Sequence, residues 1–141
     1  MFITRKMYLL VVSVAFAVTL LPHPAMATTK SDLVGTWSGT FQSDHPNMTP
    51  FTITVVISAD ANGHLVGKSN LESQCVRGIQ LQVTANSSNV VLAGSDKEGD
   101  SLTFRGSLDQ TGTLMNLRYI ANGSASGRCE TDQGSGTMGK R

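Results

Sequence analysis

Few side chains in this chain are of the types that carry out chemistry, and their spacing assembles no familiar catalytic set. Nucleophilic catalysis needs a base beside the nucleophile and a third group that orients the base. The imidazoles are His23, His45 and His64, and no G-x-S-x-G or H-E-x-x-H pattern surrounds them. His45 stands in a proline-bearing stretch and His64 follows Asn62-Gly63, both places where an exposed histidine is ordinary. Asp96, Glu98 and Asp100 alternate around Gly99 and would offer oxygens to calcium. The distant bidentate glutamate of a calcium loop is missing, so a charged hairpin tip is the simpler reading. No catalytic residue, metal or cofactor is expected.

The two cysteines, Cys75 and Cys129, fit neither a C-x-x-C redox site nor a metal set. Their meaning depends on compartment. Arg5 and Lys6 precede an apolar run over residues 8–21, and Pro22-His23-Pro24-Ala25-Met26-Ala27 ends in an Ala-x-Ala pattern. That is the layout of a signal peptide cleaved after Ala27, and a run of 14 residues is too short to span a bilayer as a helix. The expected product is a single domain over residues 28–141, periplasmic or secreted, with no membrane insertion after cleavage. In an oxidising compartment the two thiols are expected to pair. A bond closing 54 residues of separation contributes about 4 kcal/mol by chain-entropy reasoning.

Loss of Arg5 and Lys6 takes the eleven basic residues to nine against ten acidic ones, a net charge of −1. The remaining basic residues, among them Lys68, Arg77, Arg105, Arg118 and Arg128, are scattered. Nucleic acid is therefore not an expected partner.

The elements that must position these residues read as strands. Residues 33–41 hold the only tryptophan, with Leu33, Gly35, Trp37, Gly39 and Phe41 on one face at period two. The two glycines leave room for close approach of another backbone or ring. Residues 42–50 contain Pro46 and Pro50 and form the longest loop candidate, with Asp44, His45 and Asn47 as contact residues. Phe51, Ile53, Val55 and Ile57 alternate with mostly hydroxyl residues, and Asn62-Gly63 then supplies the positive φ angles of a tight hairpin.

Further strands are expected over residues 64–71, 79–84, 90–93, 102–108, 114–120 and 127–131, followed by a thin glycine-rich end. Asn47, Asn86 and Asn122 each fit the N-glycosylation pattern within a predicted loop and are read as turn residues. Hairpin-length connections throughout favour an all-β, up-and-down antiparallel barrel of about eight strands. Such an interior holds side chains or one small ligand.

Gly35-Thr36-Trp37, followed by Phe51 to Ile57 and by Asn62-Gly63 with Leu65-Val66-Gly67, resembles the opening of avidin-like and lipocalin-like (calycin) barrels. The resemblance covers residues 33–68 and implies that Trp37 closes one end of the barrel. The lipocalin likeness further implies a basic residue of a late strand over that tryptophan, Arg118 or Arg128. Avidin-like biotin sites use several tryptophans, so biotin is not implied here. The chain is also similar to small periplasmic inhibitors of secreted metalloproteases, although only residues 28–32 precede the barrel. Trp37, Phe41, Tyr119 and Arg128 are thus the candidate ligand-binding or floor residues. The functional expectation is an exported, non-catalytic barrel that binds a small ligand or a secreted protein. The alternative is an inhibitor or immunity-type protein that blocks a secreted enzyme through residues 42–50.

Overall fold

A computed structural model describes residues 29–71, 79–125 and 129–141. The expected signal segment, Cys75 and Arg128 lie outside the described residues. One helical turn, α1 (Lys30–Leu33), precedes eight strands: β1 (Gly35–Ser43), β2 (Phe51–Ala59), β3 (Leu65–Ser69), β4 (Gln80–Asn86), β5 (Asn89–Ser95), β6 (Ser101–Leu108), β7 (Leu114–Asn122) and β8 (Asp132–Lys140). Each strand pairs antiparallel with its sequence neighbours, and β8 returns to pair with β1, closing the barrel in up-and-down order.

The period-two pattern decides which faces turn inward. In β2, Ile53, Val55 and Ile57 are buried while Thr52, Val56 and Ser58 are exposed. In β7, Met115, Leu117, Tyr119 and Ala121 alternate strictly with exposed Asn116, Arg118 and Ile120. The outward hydroxyls bond across strands, as Ser38 with Thr54 at 2.9 Å.

The interior is occupied by the protein's own side chains. Trp37, Phe41 and Phe104 are 0% exposed and Tyr119 is 1% exposed. Phe41 lies at the centre of a ring cluster, with centroids 5.0 Å from Phe104, 5.6 Å from Phe51 and 5.9 Å from Tyr119, the last edge-on. Offset and edge-to-face contacts of this kind add about 0.5–1.5 kcal/mol per pair beyond burial.

Three local expectations are corrected. Leu33 belongs to α1 and not to the first strand; it is still fully buried, because a helical turn at the barrel end brings it against Trp37. The turn after β2 is not a two-residue Asn-Gly turn. Only Gly63 has positive φ, at 76°, and its N–H donates to Asp60 O at 3.0 Å while Asp60 N–H donates to His64 O at 2.8 Å. A type I turn followed by a left-handed glycine meets the same need for twist with one more residue.

The glycine-rich end is itself the closing strand, not a tail after a strand at 127–131. Glycine weakens a strand intrinsically, but the β1–β8 seam requires it. A Cβ at Gly39 would lie 2.0 Å from Thr137 O, one at Gly136 would lie 2.7 Å from the Phe41 ring, and one at Gly134 would lie 2.6 Å from the Tyr119 ring.

Candidate functional site

The barrel has two ends, and sequence-predicted residues lie at both. At the first, the floor, α1 spans from the β2–β3 turn to β8: Lys30 Nζ donates to Gly63 O at 3.1 Å, and Lys140 Nζ donates to Asp32 O at 2.8 Å. Asp32 also accepts the Thr29 N–H at 2.7 Å, which fixes the start of the turn and holds the Asp32 carboxyl below its ordinary range. Beneath it the Trp37 indole N–H donates to Leu33 O at 2.8 Å. This satisfies the one polar atom of a ring otherwise placed in an apolar interior. Trp37 thus lies buried beneath α1 at this end of the barrel.

The basic group over it is Lys140, 5.6 Å from the ring centroid. Arg118 does not take that place, because it lies on the outward face of β7 and pairs with Asp44. The reason is parity: Arg118 alternates with buried Leu117 and Tyr119, whereas Lys140, the last residue of β8 and the register partner of Trp37, reaches over the indole at the floor end.

At the opposite end, the rim, three polar side chains from distant parts of the chain converge. Ser43 Oγ donates to Asp132 Oδ1 at 2.6 Å, and Tyr119 OH donates to Asp132 Oδ2 at 2.5 Å. Ser43 Oγ in turn accepts the His45 backbone N–H at 3.0 Å. Burial and the bond to Asp132 push the Tyr119 phenol up to about 12. Burial works to raise Asp132 as well, but the Ser43 and Tyr119 hydroxyls outweigh it and hold this carboxyl below its usual value.

Chemically this is a latch. The Ser43 hydroxyl proton faces a carboxylate already held ionised, and His45 contributes its backbone rather than its imidazole. The residues that form it were not among the sequence candidates except Tyr119; Ser43 and Asp132 are 89 positions apart, and no local pattern joins them.

The latch fixes the base of the loop over residues 44–50, all of whose residues are exposed. Asp44 N–H donates to Gln133 O at 2.8 Å, Gln42 Nε2 donates to Met48 O at 3.1 Å, and Arg118 Nη2 donates to Asp44 Oδ2 at 2.6 Å. Between this loop and the segment before β8 is a cleft of about 300 Å³, lined by His45, Pro46, Asn47, Met48, Glu130 and Asp132. Of the predicted loop contacts, His45 and Asn47 line it and Asp44 braces it from the side.

Phe41 belongs to the ring cluster inside the barrel, and the Tyr119 ring lies there too, with only its hydroxyl reaching the rim. Cys129 is half-buried against the core, and its N–H donates to Asp100 Oδ2 at 3.1 Å. Asp100 is itself 1% exposed and also accepts the Ser124 N–H at 2.7 Å. Asp96 accepts the N–H groups of Glu98 and Asp100, both at 3.0 Å. These carboxylates therefore organise the β5–β6 and β7–β8 connections. Among the described residues no three His, Cys, Asp or Glu side chains are grouped to hold a metal ion, and no helix is long and apolar enough to cross a membrane.

No family model matches the chain, and no curated protein matches it. Among solved structures, it is similar to the crystal structure of a protein of unknown function from the DUF3598 family of Nostoc punctiforme. The TM-score is 0.55 at 14% identity, over 82% of this chain and 50% of that one. The chain thus spans about half the length of that protein, and at this identity the likeness is one of fold alone.

Proposed function

We propose that this protein is an exported, non-catalytic binding barrel that recognises a partner protein with residues 44–50 and the cleft beside them. The observation that carries this reading is the contrast between an interior occupied by Trp37, Phe41, Phe104 and Tyr119 and an exposed loop anchored at its base by Ser43, Asp132 and Tyr119. A barrel filled in this way favours recognition on its outside over a small ligand within. A loop fixed before contact loses little conformational entropy on binding.

The cleft joins the carboxyl groups of Glu130 and Asp132 to the apolar surface of Pro46 and Met48. That combination suits the aliphatic stem and cationic head of a lysine or arginine side chain on the partner. The fold remains of the calycin type in this reading. Export rests on the signal-like residues 1–27. A Cys75–Cys129 disulfide belongs to the same reading, since two thiols in an exported chain meet an oxidising compartment. An inhibitor of a secreted enzyme is the version in which the partner is an enzyme, favoured by Pro46 on a rigidly based loop.

The test uses the mature chain, residues 28–141, immobilised against the culture supernatant of the producing cells, beside a variant with residues 45–49 replaced by Gly and Ser. The expected result is a partner retained by the wild type and by Val56→Ser on the outer wall, and lost by the loop variant. Equal retention by the loop variant overturns the assignment. Intact mass read alongside checks export and oxidation: a chain that begins before Thr28, or two thiols that alkylate without reductant, contradicts that part of the proposal.

A further inference from the structure

A second concavity, of about 520 Å³, lies on the outer wall where β6, β7 and β8 run side by side, with a lining distinct from that of the cleft above and tied to the loop through Arg118 and Asp44. Its side chains form two rows across the three strands. In one row Arg105 of β6 is the direct partner of Arg118 of β7, which is the partner of Ser135 of β8. In the next, Asn116 of β7 is the partner of Thr137 of β8. All five side chains are exposed.

Two arginines directly opposite on one face have Cβ atoms about 5 Å apart, and like charges in that relation oppose folding. Among the described residues Arg105 forms no ion pair, and Arg118 shares the single carboxylate of Asp44. Two guanidinium groups against one carboxylate leave a local positive surplus. Thr137 Oγ1 donates to Asn116 Oδ1 at 3.1 Å, so the amide end that Asn116 still offers to the groove is its NH2 donor. The groove therefore presents donors almost throughout.

We infer that this groove binds an oxoanion, the phosphate or sulfate group of a small molecule, held between Arg105 and Arg118 with Asn116 and Ser135 completing the donor set. Planar guanidinium groups bind the oxygens of such anions through paired N–H donors, which a lysine does not reproduce. Asp44 is the counter-ion already in place, 2.6 Å from Arg118 Nη2. An arriving dianion competes with it, so occupancy of the wall groove loosens one tie on the loop over residues 44–50.

The test titrates the mature protein with inorganic phosphate and with sulfate at low ionic strength, following arginine side-chain and backbone resonances. Saturable shifts are expected at Arg105, Arg118 and the amide of Asp44. R105Q and R118Q are each expected to weaken binding by about tenfold or more, and K97Q on the β5–β6 turn to leave it unchanged. Unfolding midpoints for the arginine variants that are no lower than that of the wild type show that the loss is not one of folding. Saturation by R105Q at wild-type concentrations, or equal weakening by K97Q and R105Q, overturns the site. A parallel arm uses vesicles of phosphatidylglycerol and of phosphatidylcholine. Sedimentation with the anionic vesicles and no response to inorganic phosphate overturns a small-oxoanion site and marks a surface that meets lipid instead.

Discussion

The floor and the rim of this barrel are closed by opposite kinds of contact. At the floor an indole, a helical turn and the lysines Lys30 and Lys140 do the closing, and the central bond, Trp37 to Leu33, joins residues four apart in sequence. At the rim the closing groups are a serine, a tyrosine and an aspartate, joined across 89 and 13 positions. The floor is apolar, local and sealed. The rim is polar and long-range, and it leaves its loop in solvent. The difference teaches that one sheet supplies both a stable plug and a mounted loop, because closure at one end frees the other from having to shield the core.

The comparison breaks first at Trp37. Trp37→Ala removes a fully buried ring and the bond to Leu33 O, and is expected to cost about 3–5 kcal/mol in urea unfolding, with α1 losing its seat. A loss below about 1 kcal/mol would show that the floor is a loose lid. Tyr119→Phe is the counterpart at the rim. It keeps the ring contacts but takes one donor from Asp132, and is expected to cost about 1–3 kcal/mol. Because the Tyr119 hydroxyl helps to lower Asp132, the carboxyl should titrate higher in this variant; no change by carboxyl-carbon NMR contradicts the latch.

The pH dependence of stability sharpens the same contrast. Asp132 is lowered in the folded state, so its contribution is present above the unfolded carboxylate value of about 4 and is lost as pH falls below it. Tyr119 is raised from 10.0 to about 12, so its contribution is present below pH 10 and is lost as pH climbs from there through 12. Unfolding midpoints across pH should therefore fall at both extremes, and Tyr119→Phe should flatten the alkaline fall. An identical alkaline limb in the variant would place the titrating group elsewhere. The smallest effect is expected at Asp44→Asn, about 0–1 kcal/mol for an exposed pair, with faster amide exchange confined to residues 44–50. Unchanged exchange would mean that Arg118 does not brace the loop.

How much of this was legible follows from the same division. The apolar alternation of β2 and β7, the turn residues between strands and the single tryptophan beside two glycines pointed to an eight-stranded barrel closed on Trp37. Contacts that depend on registry between distant strands carried no such signal. Ser43 and Asp132 look like ordinary polar residues until the β1–β8 closure sets them side by side. The glycines of β8 read as a tail, since their low strand propensity is visible in sequence while the rings of Phe41 and Tyr119 that demand them are not. Lys140 was missed for a related reason, because its place over the indole follows from where the last strand ends.

The claim on which the account rests is that the barrel is filled and that recognition belongs outside it. Its most direct test is methyl NMR of the mature protein titrated with decanoate and with an apolar dye such as anilinonaphthalene sulfonate. The methyls of Met115 and Met138, both fully buried, report on the interior. The account predicts that neither resonance moves at any ligand concentration below unfolding; saturable shifts at both would show a cavity within the sheet and contradict it.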